Sequence, residues 1–365
     1  MSADVQTIAK IFAVGGTIES VVDFGSGNIN DSYLVTCHQG LSTVRYLLQR
    51  INDLVFRKPV EVMENITRVT QHTTAVLCNR GVSGVERRTL TIVPTCEGRE
   101  FYNGPDEACW RMYHYIEGTR THENATTPHQ AHQAAQAIGL LQSLLISLPE
   151  PPLHETIPHF HDTPLRYRQL EEAVQKDPCN RLEQVKQEVD FADSNREFDG
   201  LLQDLRARGK LPLRTVHNDA KISNVLFDGD TDQAICVVDL DTIMPGLALD
   251  DFGDMVRTMD VTASEDETDL SRVEISLSLF EGLASGYVSA AESFLTPCER
   301  EHLVASGQIL TLEQGVRFLT DFLLGDTYYK TSSPNHNLAR CRNQFKLLRS
   351  LMANESAMRR FVETL

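Results

Sequence analysis

The chain has 365 residues, of which 41% are apolar and 23% charged, and its formal net charge is −17. That length suits two lobes rather than one small core. A field of that sign repels nucleic acid and anionic membrane surfaces, so neither is an expected partner, and an anionic nucleotide would need a local cationic or metal-lined site. The eight cysteines (37, 78, 96, 109, 179, 236, 298 and 341) form no CxxC pair and no zinc spacing. Several lie in apolar runs and read as buried free thiols, which points to a reducing, cytoplasmic setting. The first ten residues, MSADVQTIAK, lack the apolar stretch of a secretory leader. No run reaches the roughly eighteen apolar residues of a membrane span.

In chain order, residues 18–24 and 32–37 are short β-prone runs joined by the glycine-containing turn GSGNIND (25–31). A third strand is predicted over 43–51 and a helix over 59–78, with Pro59 in its first turn. LTIVPT (90–95) and ACWRMYHYI (108–116) read as further strands. The pattern then turns helical. Ala134, Ile138, Leu141 and Leu145 mark one apolar face over 128–147. Residues 149–164, with four prolines before Thr163 and Pro164 close the segment, read as loop, and 164–208 as charged and helix-prone. Two β-like runs, NVLFD (224–228) and AICVVDL (234–240), precede a helical tail from about residue 271. Strands in front and helices behind predict an α+β, bilobal fold with a cleft between lobes: a β-rich N-lobe over 1–115 and a larger helical C-lobe over 116–365, hinged near 113–118.

The stretch 215–241, TVHNDAKISNVLFDGDTDQAICVVDLD, carries the chemistry. His217, Asp219, Lys221 and Asn224 form H-x-D-x-K-x-x-N, the spacing of a phosphotransfer catalytic loop. The Asp accepts the proton of an attacking hydroxyl, and the Asn five residues on turns back to bind Mg²⁺. The Lys neutralises charge on the transferred phosphoryl group. Asp239, at the end of a β-like run, is the expected second metal ligand, since magnesium takes oxygen donors and keeps some waters. Asp241 either ligates as well or orients the loop.

Together with VVDLDTIMPGLALDDFGDMVR, this block resembles the aminoglycoside-phosphotransferase superfamily. Within it the chain is most similar to the N-acetylhexosamine 1-kinase group, over nearly its whole length. GSGNINDSYLV, YLLQRIN, WRMYHYIEG, ETIPHFHDTP and GVRFLTDFLLGDTYYKTSSPNHNLARCR carry that finer resemblance. It implies a protein-kinase-like fold, ATP and Mg²⁺ as cofactors, and phosphorylation of the anomeric hydroxyl of GlcNAc or GalNAc to the α-1-phosphate. Asp219 would be the base and Asn224 and Asp239 the metal ligands.

The resemblance also assigns roles outside this block. Gly25 and Gly27 would let backbone amides approach phosphates, although such a sequence also makes an ordinary hairpin turn. Asn28 stands where the similar sugar kinases carry a sugar-contacting histidine. Gln49 occupies the place of the usual phosphate-binding lysine, with Arg50 beside it. Strand alternation lets only one of the two enter the cleft. Its helix partner would be Glu61 or Glu64. His114 and Ile116 would bond adenine through their backbones. Arg317 and Tyr328 would hold the hexosamine, though a salt-bridged arginine and a packed tyrosine describe the same residues. His159, His161 and Asp162 read as a structural loop rather than a metal site. The competing expectations are a kinase for another alcohol, of aminoglycoside, choline or homoserine type, and a non-catalytic kinase-like binding protein. The second should lack Asp219, Asn224 or Asp239, and all three are present. The acidic loop 260–270 keeps a cationic acceptor in play.

Overall fold

The computed structural model describes residues 5–25, 29–104, 107–259 and 263–365. A short helix α1 (Val5–Ala9) precedes strands β1 (Thr17–Asp23), β2 (Asp31–Gln39) and β3 (Ser42–Arg50), then helix α2 (Pro59–Asn79) and strands β4 (Tyr102–Asn103) and β5 (Cys109–His114). These five strands form an antiparallel sheet in the order β1-β2-β3-β5-β4. One face packs Val35, Cys37, Tyr46, Leu48, Trp110 and Met112 against α1. The other face, with Cys109 and Tyr113, joins the main core. This is the alternation that period-2 patterning dictates.

One expectation needs adjustment, and one element was not expected. Residues 90–95 are not a strand, since only the isolated bridges Ile92–Tyr113 and Phe12–Thr95 form there. Pro94 has no amide hydrogen to continue a ladder. Helix α1 lies in a segment whose sequence shows no clear periodicity.

Beyond β5 come β6 (Thr119–Arg120), α3 (Pro128–Leu145), α4 (Thr163–Lys176), α5 (Lys186–Ser194), α6 (Leu201–Ala207), β7 (Arg214–Val216), β8 (Val225–Asp228), β9 (Ala234–Val237), β10 (Met244–Gly246) and α7 (Ala248–Met259). Helices α8 (Leu277–Ala291), α9 (Pro297–Glu301), α10 (Leu303–Leu324) and α11 (His336–Val362) complete the chain. The β6-β8-β9 and β10-β7 ladders frame the catalytic segment. Thr127 caps α3 and Thr296 closes a capping box on α9, satisfying amides that helix starts leave free. Helices α3 and α8 cross closely: a Cβ on Gly286 would lie 2.1 Å from the His132 carbonyl oxygen. One apolar cluster runs from Met63 and Tyr113 through Ile138 to Phe252 and Tyr287, so the sheet region and the helical part share a core behind the cleft. The architecture is α+β, with a β-sheet N-terminal region and a helical C-terminal part. No helix among the described residues is long and apolar enough to cross a membrane.

Candidate active site

The segment after β7 is held almost wholly by its backbone. Asp251, fully buried on α7, accepts the amides of His217 (2.9 Å) and Asn218 (2.6 Å). Gln142 of α3 donates to the same carboxylate at 2.6 Å, and Tyr287 of α8 donates to Gln142 at 2.7 Å. Burial raises the Asp251 carboxyl, against the lowering by His217 and the two amides. Asn218 holds φ +65, a conformation costly for most side chains but tolerated by asparagine. Its side-chain amide donates to Val216 and Thr242 carbonyls. Thr242 Oγ1 donates to the His217 carbonyl at 2.7 Å, and the Val238 amide to the Asn224 carbonyl at 2.8 Å. The His217 ring meets the Val238 carbonyl at 2.9 Å. These bonds tie the H-x-D-x-K-x-x-N turn to the segment that ends in Asp239.

Asp219 is a quarter exposed and lies 2.9 Å from Lys221 Nζ. Asn224 Nδ2 donates to its backbone carbonyl (2.9 Å) and to its carboxylate (3.1 Å). Burial pushes the Asp219 carboxyl up, but Lys221, His217 and Asn224 outweigh it and hold the group well below the usual carboxylate range. Lys221 is raised correspondingly by Asp219. Asp239, at φ +58, is exposed. Desolvation by the neighbouring protein, with the charges of Asp241 and Asp219, lifts its carboxyl to about 6. An acid crowded by two other acids fits a cation. The donors match a hard divalent ion: one carboxylate and the Asn224 Oδ1, which faces away from Asp219 because Nδ2 faces toward it. Among the described residues, no group of three or more His, Cys, Asp or Glu side chains could hold a metal by itself.

Asp241 is committed elsewhere. It pairs with Arg111 of β5 and accepts from Asn30 Nδ2 at 2.6 Å; the Arg111 and Asp241 side chains are 1% and 2% exposed. Gln49 lies on the cleft face of β3 and uses its amide within the sheet, donating to Ser32 Oγ and accepting from Arg111 Nε (3.0 Å). Arg50 faces away and lies 3.7 Å from Asp31. The cation beside Gln49 on this face is Arg111, which motif reading passed over. Glu61 pairs with Lys58 and Glu64 with His154. The α2 residue that reaches the catalytic segment is the buried Asn65, donating to the His154 and Ile243 carbonyls. A polar residue amid the apolar positions 62, 63, 66 and 69 was the available signal.

Gly25 ends the described part of the β1–β2 turn at φ +80. Gly27 and Asn28 lie outside the described residues. At the end of β5 the His114 amide donates to Thr91, and the Ile116 carbonyl accepts from Thr119 Oγ1 at 2.8 Å. Arg317 of α10 sits 5.5, 6.0 and 5.7 Å from the ring centres of Phe160, Tyr328 and Tyr329. Arg317 NH1 donates to Gln314. Asp321 accepts the amides of Thr327, Tyr328 and Tyr329, which fixes the turn that presents the two tyrosines. Tyr328 is 64% exposed, Arg317 is not, and Arg166 and Arg257 are both within electrostatic reach of Arg317.

The HFHDT loop has a further part. His161 contacts Glu313 Oε1 at 3.1 Å and, through Nε2, the carbonyl of Asn218 at 3.0 Å, one residue before Asp219. Thr163 donates to the other Glu313 oxygen at 2.7 Å. Burial would lower His161, but the bond to Glu313 and its charge raise it from 6.5 to about 9. A cation favoured by the folded state adds stability in full below pH ~6.5 and loses it as pH rises through ~9. Burial raises the Asp250 carboxyl, beside it, from 3.8 to about 7, so its contribution to stability also falls with rising pH, but over the lower range from about 4 to about 7. Between pH 7 and 9 the wild-type protein should lose stability on the order of 1–3 kcal/mol from His161. Urea melts of His161→Gln should lack most of that slope, and parallel pH curves would contradict the assignment.

The sequence as a whole agrees with this geometry. Residues 20–284 match the model of the phosphotransferase enzyme family. The chain belongs to this family. Solved structures share its fold at low identity. A microcompartment-associated aminopropanol kinase is 17% identical with a TM-score of 0.56, covering 98% of this chain and 99% of that one. A choline kinase from Cryptosporidium parvum Iowa II is 15% identical, TM-score 0.52, covering 93% and 90%. A spectinomycin phosphotransferase solved with ADP and spectinomycin is 12% identical, TM-score 0.55, covering 92% of each chain. A phosphotransferase of this family acts on small molecules with an alcohol group as acceptor, and the kinase-like likeness agrees with the expected fold.

Proposed function

We propose that this phosphotransferase moves the γ-phosphate of ATP to a hydroxyl of a small molecule, with Asp219 as the base. The reading is carried by one observation: Lys221 and Asn224 both reach Asp219, and the Val238 amide and Thr242 hydroxyl tie this turn to the segment that carries Asp239. An N-lobe over 1–115 and a C-lobe over 116–365 are part of this reading, the boundary falling just past β5. The His114 carbonyl and the Ile116 amide are assigned to the adenine edge. Asn224 and Asp239 would hold magnesium, which when bound would neutralise charge on the phosphoryl oxygens. Lys221 neutralises Asp219 before substrates arrive. A phosphoryl group in the cleft gives the ammonium a second anion to face, which loosens the pair and raises the basicity of Asp219 toward a bound hydroxyl. Asn224, bonded to Asp219 at two atoms, keeps the carboxylate aimed throughout. Eight free thiols support a reducing, cytoplasmic setting.

The acceptor has two readings. The solved relatives named above favour another small alcohol, of amino-alcohol or aminoglycoside type, over the sugar reading. The N-acetylhexosamine reading rests on sequence resemblance and on one physical observation, the Arg317 guanidinium boxed by three aromatic rings with Arg166 in reach. Such a wall offers donors to hydroxyl and acetamide oxygens and repels an ammonium. A panel of N-acetylglucosamine, N-acetylgalactosamine, choline, aminopropanol and an aminoglycoside, read as ADP release, separates the two. The sugar reading expects turnover with the acetamido sugars, and for Arg317→Met a KM for sugar about tenfold higher with kcat less affected. Turnover confined to the cationic alcohols would select the other acceptor class.

A further inference from the structure

We propose that Arg111 and Asp241 are positioning residues: a buried clasp that sets the β-sheet against the metal-binding segment and so seats the phosphate end of the nucleotide. The proposal rests on the reading of the site as an ATP-dependent transferase. Arg111 stands on β5 directly across from Gln49 of β3, the place where a phosphate-binding lysine is missing. Its guanidinium spends Nε on Gln49 and NH1 on Asp241. Asp241 uses one carboxylate oxygen for Arg111 and the other for Asn30, and its own carbonyl accepts from Thr156 at 3.2 Å. Asn30, just before β2, also accepts the Asn52 amide at 3.0 Å. One acid, two residues past Asp239, thereby grips the middle of the sheet and the start of β2 at once.

A buried ion pair is a poor way to gain stability, because taking both charges out of water offsets their attraction. Its value lies in geometry, since two directional contacts leave one relative placement of strand and catalytic segment. The guanidinium matters here for its fork, which a lysine cannot copy while reaching Gln49 and Asp241 together. With both oxygens of Asp241 engaged, the metal is left to Asn224 and Asp239, and Asp241 acts through placement of its neighbour.

The test uses the full chain and three variants, with Mg·ATP as the probe. Asn30→Ala leaves the buried ion pair intact. Arg111→Lys keeps the charge and loses the fork. Arg111→Met combined with Asp241→Leu removes both charges and strands neither. Melting temperature, calorimetric Mg·ATP affinity without acceptor, and KM for each substrate are measured. The clasp predicts about a tenfold rise in the Kd and KM for Mg·ATP in Asn30→Ala and Arg111→Lys, with acceptor KM unchanged. It predicts a larger rise in the double variant even if its melting temperature is preserved. Lower melting temperatures with wild-type Mg·ATP affinity in all three would reduce the pair to a structural element and overturn the proposal, as would a shift confined to acceptor KM. Failure of the wild-type protein to bind Mg·ATP would instead strike the functional reading on which the clasp depends.

Discussion

Asp219→Asn should fold normally and lose about 10²- to 10⁴-fold in kcat, the usual contribution of a positioned general base. Asparagine fills the same volume and keeps an oxygen for the Asn224 amide, so the turn held by Asp251 and Thr242 has no reason to move. What disappears is the group that takes the proton. The wild-type carboxylate is held ionised by Lys221, His217 and Asn224 despite its burial, so it is ready as an acceptor at neutral pH. Phosphoryl transfer is mostly positioning and charge stabilisation, which is why residual turnover should persist. Mg·ATP affinity should change little, because Asp219 is not assigned to the metal. Near-wild-type kcat in a folded Asp219→Asn protein would remove Asp219 as the base.

Asp239→Asn should show the opposite pairing of effects. One of two protein donors to the metal weakens, and the affinity for Mg·ATP should fall by at least the roughly 10- to 100-fold that the loss of an outer-shell partner costs a metal site. The same change should leave the melting temperature equal or higher. Partial desolvation and the neighbouring Asp241 and Asp219 already press the Asp239 carboxyl toward its neutral form. An amide relieves that crowding, a local trade of stability for function. The sign also follows for pH: with a carboxyl raised to about 6, Mg·ATP binding by the wild-type protein should weaken as pH falls through that value, while Asp239→Asn should show no such step. Titration calorimetry beside differential scanning calorimetry reads both quantities. A destabilised variant with unchanged magnesium dependence would count against the assignment.

The contrast between these residues and the rest of the cleft shows what a sequence carries. Asp219, Asn224 and Asp239 are legible because their spacing is fixed by a turn and a hairpin, a local constraint that one chain segment satisfies alone. Strands β1, β2, β3, β5, β8 and β9 and helices α2 and α3 are legible for the same reason, through period and, in α2, the proline of its first turn, Pro59. Arg111, Asn65, His161 and Asp251 act through partners 130, 178, 57 and 34 residues away. No local pattern distinguishes Arg111 from any strand arginine; only the fold places it opposite Asp241. The lysine expected on β3 illustrates the point. The motif position holds Gln49, and the charge has moved to the strand beside it, where register rather than sequence order makes the two neighbours. Residues 90–95 err in the other direction, since apolar β-branched composition suggested a strand that Pro94 and two isolated bridges do not sustain.

The most direct test follows the γ-phosphate itself. Phosphorus NMR of the wild-type protein with ATP, magnesium and each hydroxyl acceptor should reveal one new phosphomonoester, requiring magnesium and absent from the Asp219→Asn reaction over the same interval. A phosphomonoester formed equally by both proteins, or none with any acceptor while Mg·ATP is bound, would contradict a carboxylate-driven transfer at this cleft.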